Sequence, residues 1–135
     1  MQREIKFRAW DKVEKAFVVP LDFCITGMGQ LLLTKSNELI SFGEFKEIAD
    51  DRYLVMQYTG LKDKSGREIY EGDIIKFIYK YRILNAEVYF CEILYEWRLK
   101  KQFLIGEKIT MPFSLLIESD FEIIGNIYEN PELLK

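Results

Sequence analysis

At 135 residues and 16.1 kDa the chain has the length of a single domain; hydrophobic residues at 49% and aromatics at 15% supply ample material for a packed core. A net charge of −3 and a pI near 5.2 argue against a uniformly basic nucleic-acid binder. The absence of histidine removes the usual general base near neutral pH and every Ser-His or Cys-His nucleophile pair.

Ten Phe and eight Tyr favour pleated surfaces over helices. The opening Ile5-Lys6-Phe7-Arg8-Ala9-Trp10 alternates with period two and predicts a strand, with Ile5, Phe7 and Ala9 inward and Lys6 and Arg8 in water, stopping at Asp11. Ala16 to Val19 predicts a second strand, ended by Pro20, whose missing N–H suits a strand end. Gly27-Met28-Gly29-Gln30 reads as a turn into Leu31-Leu32-Leu33. From Asn37 to Asp51 the spacing of apolar residues fits no template, and an irregular, variable segment with one helical turn is expected.

Tyr53 to Thr59 is a β-branched and aromatic run, followed by Gly60 and by Asp63-Lys64-Ser65-Gly66, which has Asp first and Gly last as type I turns prefer. Glu71-Gly72-Asp73 breaks the chain again before a strand from Ile74 to Tyr79. From Ala86 to Leu99 the alternation changes phase near Cys91, which predicts one strand with a bulge at Cys91-Glu92. A helix from Glu87 to Lys101 is the alternative. Runs at Phe103–Ile105, Phe113–Ile117 and Phe121–Asn126 complete a set of short strands. The expected architecture is one mainly β (β-rich α+β) domain spanning residues 1–135, a partly closed antiparallel β-barrel with a minor helical part.

Four segments resemble the YopX family of phage and prophage proteins. They are Arg3 to Asp11, Met56 to Asp63, Ile69 to Ile74, and the closing Ile123-Ile124-Gly125-Asn126-Ile127-Tyr128-Glu129-Asn130-Pro131-Glu132-Leu133-Leu134. They occur in the family's order and run from one end of the chain to the other. The resemblance implies a phage or prophage setting and a β-rich fold. It supplies no established catalytic residues to transfer.

Several motifs invite chemistry and have simpler structural readings. Gly60 to Gly66 carries two lysines among glycines but is no phosphate loop. Its glycines are one position too far apart, and Arg67-Glu68 stands where Lys-Ser/Thr is needed, so a hairpin turn is expected. Glu71 and Asp73 divide acid and base roles only if a cleft pushes their pKa values apart; the turn reading has Gly72 supplying a special backbone angle and Asp73 bonding the turn's own N–H groups. Gly60, Asp63, Gly66, Gly72, Asp73, Gly125 and Pro131 are therefore expected as structural turn residues. Cys24 and Cys91, with no C-x-x-C pair and no histidine, cannot assemble a four-ligand zinc site, and reduced buried thiols are expected. No catalytic residue, metal or cofactor is assigned.

Charge is segregated along the chain: residues 73–101 hold 6 basic against 4 acidic residues and residues 102–135 hold 2 against 6. Lys76, Lys80, Arg82, Arg98, Lys100 and Lys101, interleaved with Tyr79, Tyr81 and Trp97, form a candidate nucleic-acid surface, since aromatics stack on bases while cations hold phosphates. The bland alternative is a solvated sheet face with its aromatics in the core. Tyr128, Leu133 and Leu134 form a candidate docking tail, with packing onto the chain's own sheet as the alternative. The longest uncharged apolar stretches fall far short of the roughly 20 residues that cross a bilayer. The N-terminus carries charge through Asp11 with no apolar run behind it, so no secretory signal is expected. The expected protein resides in the bacterial host cytosol and acts by binding a host or phage protein. Nucleic acid is the alternative partner, a histidine-independent enzyme is a less favoured reading, and homo-oligomerisation is left open.

Overall fold

Strands dominate the fold, as the β-branched and aromatic loading of the chain requires. The computed structural model of the protein describes residues 2, 4–18, 23–25, 31–33, 46–47, 51–102, 108–116 and 120–135. It is mainly β, built from antiparallel sheets, one of which curls into half a barrel. The chain forms two compact units, one of Phe7–Met56 and the other of Met1–Lys6 with Gln57–Lys135.

In the first unit β1 (Phe7–Asp11) and β2 (Ala16–Phe17) form a hairpin with Trp10 opposite Phe17 and Asp11 opposite Ala16. Their rings meet edge to face at 5.0 Å, a favoured aromatic geometry. The start of β6 (Tyr53–Lys62) continues this sheet in the order β2-β1-β6. Strands β3 (Phe23–Ile25), β4 (Leu31–Leu33) and β5 (Lys46–Glu47) form an antiparallel sheet of their own, with Phe23 opposite Leu33 and Leu32 opposite Glu47. The irregular segment expected over 37–51 otherwise lies outside the described residues, as does the turn expected at Gly27–Gln30.

Alternation at the N-terminus fails in an informative way. Ala9 and the adjacent Trp10 and Asp11 are all buried, whereas Ile5, expected inward, precedes the strand and is exposed. Asp11 is drawn in because its carboxylate accepts the N–H groups of Val13 (2.9 Å) and Glu14 (3.1 Å) and pairs with Arg52 at 2.6 Å.

In the second unit the end of β6 pairs with β7 (Glu68–Tyr70), Tyr58 opposite Tyr70 and Lys62 opposite Glu68. Gly60 lies inside β6, not after it, within the irregular stretch of this pairing. A five-stranded sheet follows in the order β11-β10-β9-β8-β12, made of β8 (Asp73–Tyr79), β9 (Arg82–Cys91), β10 (Glu96–Gln102), β11 (Lys108–Pro112) and β12 (Glu122–Asn126). Period two decides what its inner face carries: Ile75 and Phe77 of β8, Ala86 and Val88 of β9, Leu99 of β10 and Met111 of β11 join Ile69 and Phe113 in one buried cluster. Ile75 faces Ala86, Val88 faces Leu99 and Leu99 faces Met111 across the ladder.

Two expectations are corrected here. Residues 86–99 are neither one bulged strand nor a helix: the change of phase at Cys91 is a chain reversal, with Cys91 opposite Glu96 and the loop Glu92 to Tyr95 between β9 and β10. Phe113–Leu116 is a 3-10 helix following β11, not a strand. A second 3-10 helix, Pro131–Leu134, closes the chain, so the helical part is indeed minor. The run expected at Phe103–Ile105 lies outside the described residues.

Candidate protein-interaction surface

Asp63 is a heavily bonded turn residue. Its side chain is fully buried; one oxygen accepts the N–H groups of Ser65 (2.9 Å) and Arg67 (3.0 Å), the other accepts Arg67 Nε (2.9 Å) and the N–H of Ile123 (3.2 Å). Burial alone pushes this carboxyl up, but the surrounding donors together hold it below its usual range. The turn closes with Gly66 N–H donating to the Asp63 carbonyl at 2.9 Å, and Gly66 takes φ +82, a left-handed angle that costs glycine little. Asp73 is buried and accepts the Tyr70 N–H at 2.8 Å. Glu71 across the turn is pushed up by burial.

An open cleft of about 500 Å³ lies between Leu61–Lys64 and Phe113, Asp120 and Phe121. Asp63 has both oxygens engaged, and Lys64 pairs with Glu122 at 3.3 Å. These groups lock β12 to the β6–β7 hairpin instead of facing a reacting atom.

The candidate nucleic-acid residues divide. Lys76 pairs with Glu122 at 2.6 Å, Lys100 with Glu87 at 3.0 Å, and Arg98 with Glu96; Lys76 and Lys64 together hold Glu122 below its ordinary range. Lys101 Nζ donates to the Leu134 carbonyl at 3.4 Å. Tyr79 and Trp97 pack against the core cluster, which withdraws them from stacking on a base. Lys80, Tyr81 and Arg82 remain exposed together at the β8–β9 turn, with the Lys80 ammonium 5.2 Å from the Tyr79 ring.

The tail lies against its own sheet. Pro131 opens the last 3-10 helix, where a missing N–H does no harm, and the Leu133 carbonyl accepts Asn85 Nδ2 of β9 at 3.1 Å. Tyr128, Leu133 and Leu134 are half-buried. Gly125 is required by close approach: a Cβ there would sit 2.9 Å from Asn130 Cβ and 2.5 Å from its Oδ1.

Sequence reasoning missed the two reversals at opposite ends of β9, although it had singled out Lys80, Tyr81 and Arg82 as candidate nucleic-acid residues. At the β9–β10 tip, Ile93, Leu94 and Tyr95 are consecutive and 87%, 57% and 82% exposed, flanked by Glu92 and Glu96. At the β8–β9 tip, Ile78 and Ile83 stand opposite each other at 59% and 69% exposure, and Tyr81 between them is fully exposed, with Lys80 and Arg82 alongside. Lys80, Tyr81 and Tyr95 have φ of 47, 63 and 52, the region where turns select Gly, Asn or Asp. Bulky residues there cost about 1 kcal/mol or more each. The only turn signal in the sequence was the change of phase near Cys91, at the β9–β10 tip; Lys80-Tyr81 carries no turn residue.

The YopX protein family model matches residues 6–135. No curated protein matches the chain. Two solved structures share its fold: protein EF1440 from Enterococcus faecalis, 29% identical with a TM-score of 0.62, and protein yopX from Bacillus subtilis, 19% identical with a TM-score of 0.62. Each alignment covers 99% of this chain and 100% of the other. With a family match over nearly its whole length and the four signature segments in order, the chain belongs to the YopX family.

Proposed function

We propose that this protein is a non-catalytic accessory protein of the phage and prophage type, working in the bacterial cytosol by docking its β9–β10 hairpin tip onto another protein. The observation that carries the reading is the Ile93-Leu94-Tyr95 tip itself. Three consecutive large apolar side chains stand in water, and Tyr95 holds a left-handed backbone angle that glycine would adopt at lower cost. Among the described residues no contact offsets that cost for a side chain so exposed, and strain of this kind concentrates at functional positions. Apolar anchors with charges at the rim are the composition of a docking site. Glu92, exposed at the rim, sets its complement, an apolar surface rimmed by cations, while Glu96 is engaged by Arg98.

The phage setting extends from the family. The nucleic-acid alternative retains one supporting observation, the exposed Tyr81 beside Lys80 and Arg82.

The test places a photo-crosslinking residue at position 94 in extracts of infected or lysogenic cells, with and without nuclease. The expected result is a crosslinked protein, resistant to nuclease and lost when Tyr95→Gly is added. A crosslink that Tyr95→Gly leaves unchanged, or none at all, overturns docking through this tip; recovery abolished by nuclease transfers the protein to the nucleic-acid reading.

A further inference from the structure

The partner chemistry deduced for the β9–β10 tip, an apolar surface with cations at its rim, exists in the chain itself. It is the β8–β9 tip, where Ile78, Tyr81 and Ile83 are exposed beside Lys80 and Arg82. We propose that copies of this protein associate head to tail, the Ile93–Tyr95 tip of one copy docking on the Ile78, Tyr81 and Ile83 tip of the next. The inference rests on the reading of the β9–β10 tip as a protein-docking surface and names its occupant.

Charge selects this arrangement over the others. The sequence from Tyr79 to Ala86 contains two cations and no acid, whereas at the other tip Glu92 is exposed and Glu96 is paired with Arg98, which leaves that tip net negative. Joining like tips in a two-fold dimer brings like charges together, which costs several kcal/mol in an interface. Joining unlike tips pairs them. Contact within one molecule is ruled out by distance, because ten-residue β9 separates the tips by about 30 Å. Both tyrosines are then withdrawn from water in the same event.

A contact between two different surfaces of one chain does not close on itself, so association continues until a ring forms or runs on as an open chain. Three large side chains a side form a small interface, in the weak class below about 1,200 Å². Association therefore rises with concentration and weakens in about 1 M salt, where the Debye length falls to about 3 Å.

Sedimentation velocity on the purified, nuclease-treated chain tests this. The wild type is expected to form concentration-dependent oligomers. Lys80→Glu or Glu92→Lys alone should weaken association about ten-fold, and the double charge exchange should restore most of it. Tyr81→Gly and Tyr95→Gly, at exposed positions where glycine suits the backbone, keep the fold by circular dichroism. Each alone should block growth, while an equimolar mixture should stop at dimers, since each then lacks one end. A wild type that stays monomeric throughout, a double exchange that recovers nothing, or a mixture that grows past dimers overturns the proposal. If self-association fails while position-94 crosslinks persist, only the occupant is wrong. If those crosslinks also vanish, the docking reading itself falls.

Discussion

Replacing Asp63 by asparagine sets an amide NH2 against donors. With one oxygen retained for the N–H groups of Ser65 and Arg67, the new nitrogen faces Arg67 Nε and the N–H of Ile123, which Asp63 now accepts at 2.9 and 3.2 Å. Hydrogen bonds to a charged group contribute about 1.5–3 kcal/mol each, so losing two from a side chain that is fully buried costs about 3–6 kcal/mol, close to the about 3–5 kcal/mol found when one partner of a buried ion pair is removed. Against a total stability of about 5–15 kcal/mol this is a large fraction. Urea denaturation at neutral pH should show the midpoint falling by about 1–3 M at unchanged slope. Arg67→Met should cost less, about 1–3 kcal/mol, because the N–H groups of Ser65, Arg67 and Ile123 still hold the carboxylate. The sign of the pH dependence follows from a depressed folded pKa: the stabilisation is present above the unfolded carboxylate pKa and is lost as pH falls through the folded one. The gap between wild type and Asp63→Asn should therefore narrow in acid. A cost below about 1 kcal/mol, or a gap that widens in acid, would refute the assignment of Asp63 as the tie between the β6–β7 hairpin and β12.

Asp11 is held down to about 2 by its hydrogen bond from Arg52, helped by the N–H groups of Glu14 and Val13 against the cost of burial. Its stabilisation should be complete above about pH 4 and disappear as pH falls toward about 2, a loss that Asp11→Asn should abolish in acid titrations followed by circular dichroism. Gly125→Ala forces its new methyl carbon into Asn130, whose Cβ lies within 2.9 Å, and should destabilise by about 1–3 kcal/mol; calorimetry showing an unchanged melting temperature would remove the close approach as the reason for glycine. Tyr95→Gly should leave stability within about 1 kcal/mol of wild type, since relief of left-handed strain offsets the added freedom of the unfolded chain. A larger loss in urea would mean that the tip supports the fold.

Much of the fold was legible because its signals are local. Tyr53 to Thr59 and Ile74 to Tyr79 announce strands by composition, and Asp63 to Gly66 announces a turn because one residue must supply a carboxylate and another a left-handed angle. The family was legible for a different reason: its signature segments lie at turns and close approaches, such as Gly125 against Asn130 and Asp73 under the Tyr70 N–H, where few residue types fit. Locality also marks where reading failed. Ile93-Leu94-Tyr95 looks like strand because aromatic and β-branched residues favour strands, yet these residues form a reversal without glycine, asparagine or proline. Lys80-Tyr81 does the same at the other end of β9, and Phe113–Leu116, equally apolar, turns into a 3-10 helix. The candidate nucleic-acid surface was legible only as a list of residue types. Which cations meet an acid depends on register between strands, as when Lys100 of β10 lands opposite Glu87 and Lys76 of β8 opposite Glu122 of β12.

The sequence by itself determined the β-rich class, the tight turns and the family, since each is written in residues that act on their immediate neighbours. Tertiary structure alone decided which apolar residues stay in water. Burial is settled by what lies across the sheet, and among the described residues nothing lies there to cover Ile93, Leu94, Tyr95 and Tyr81.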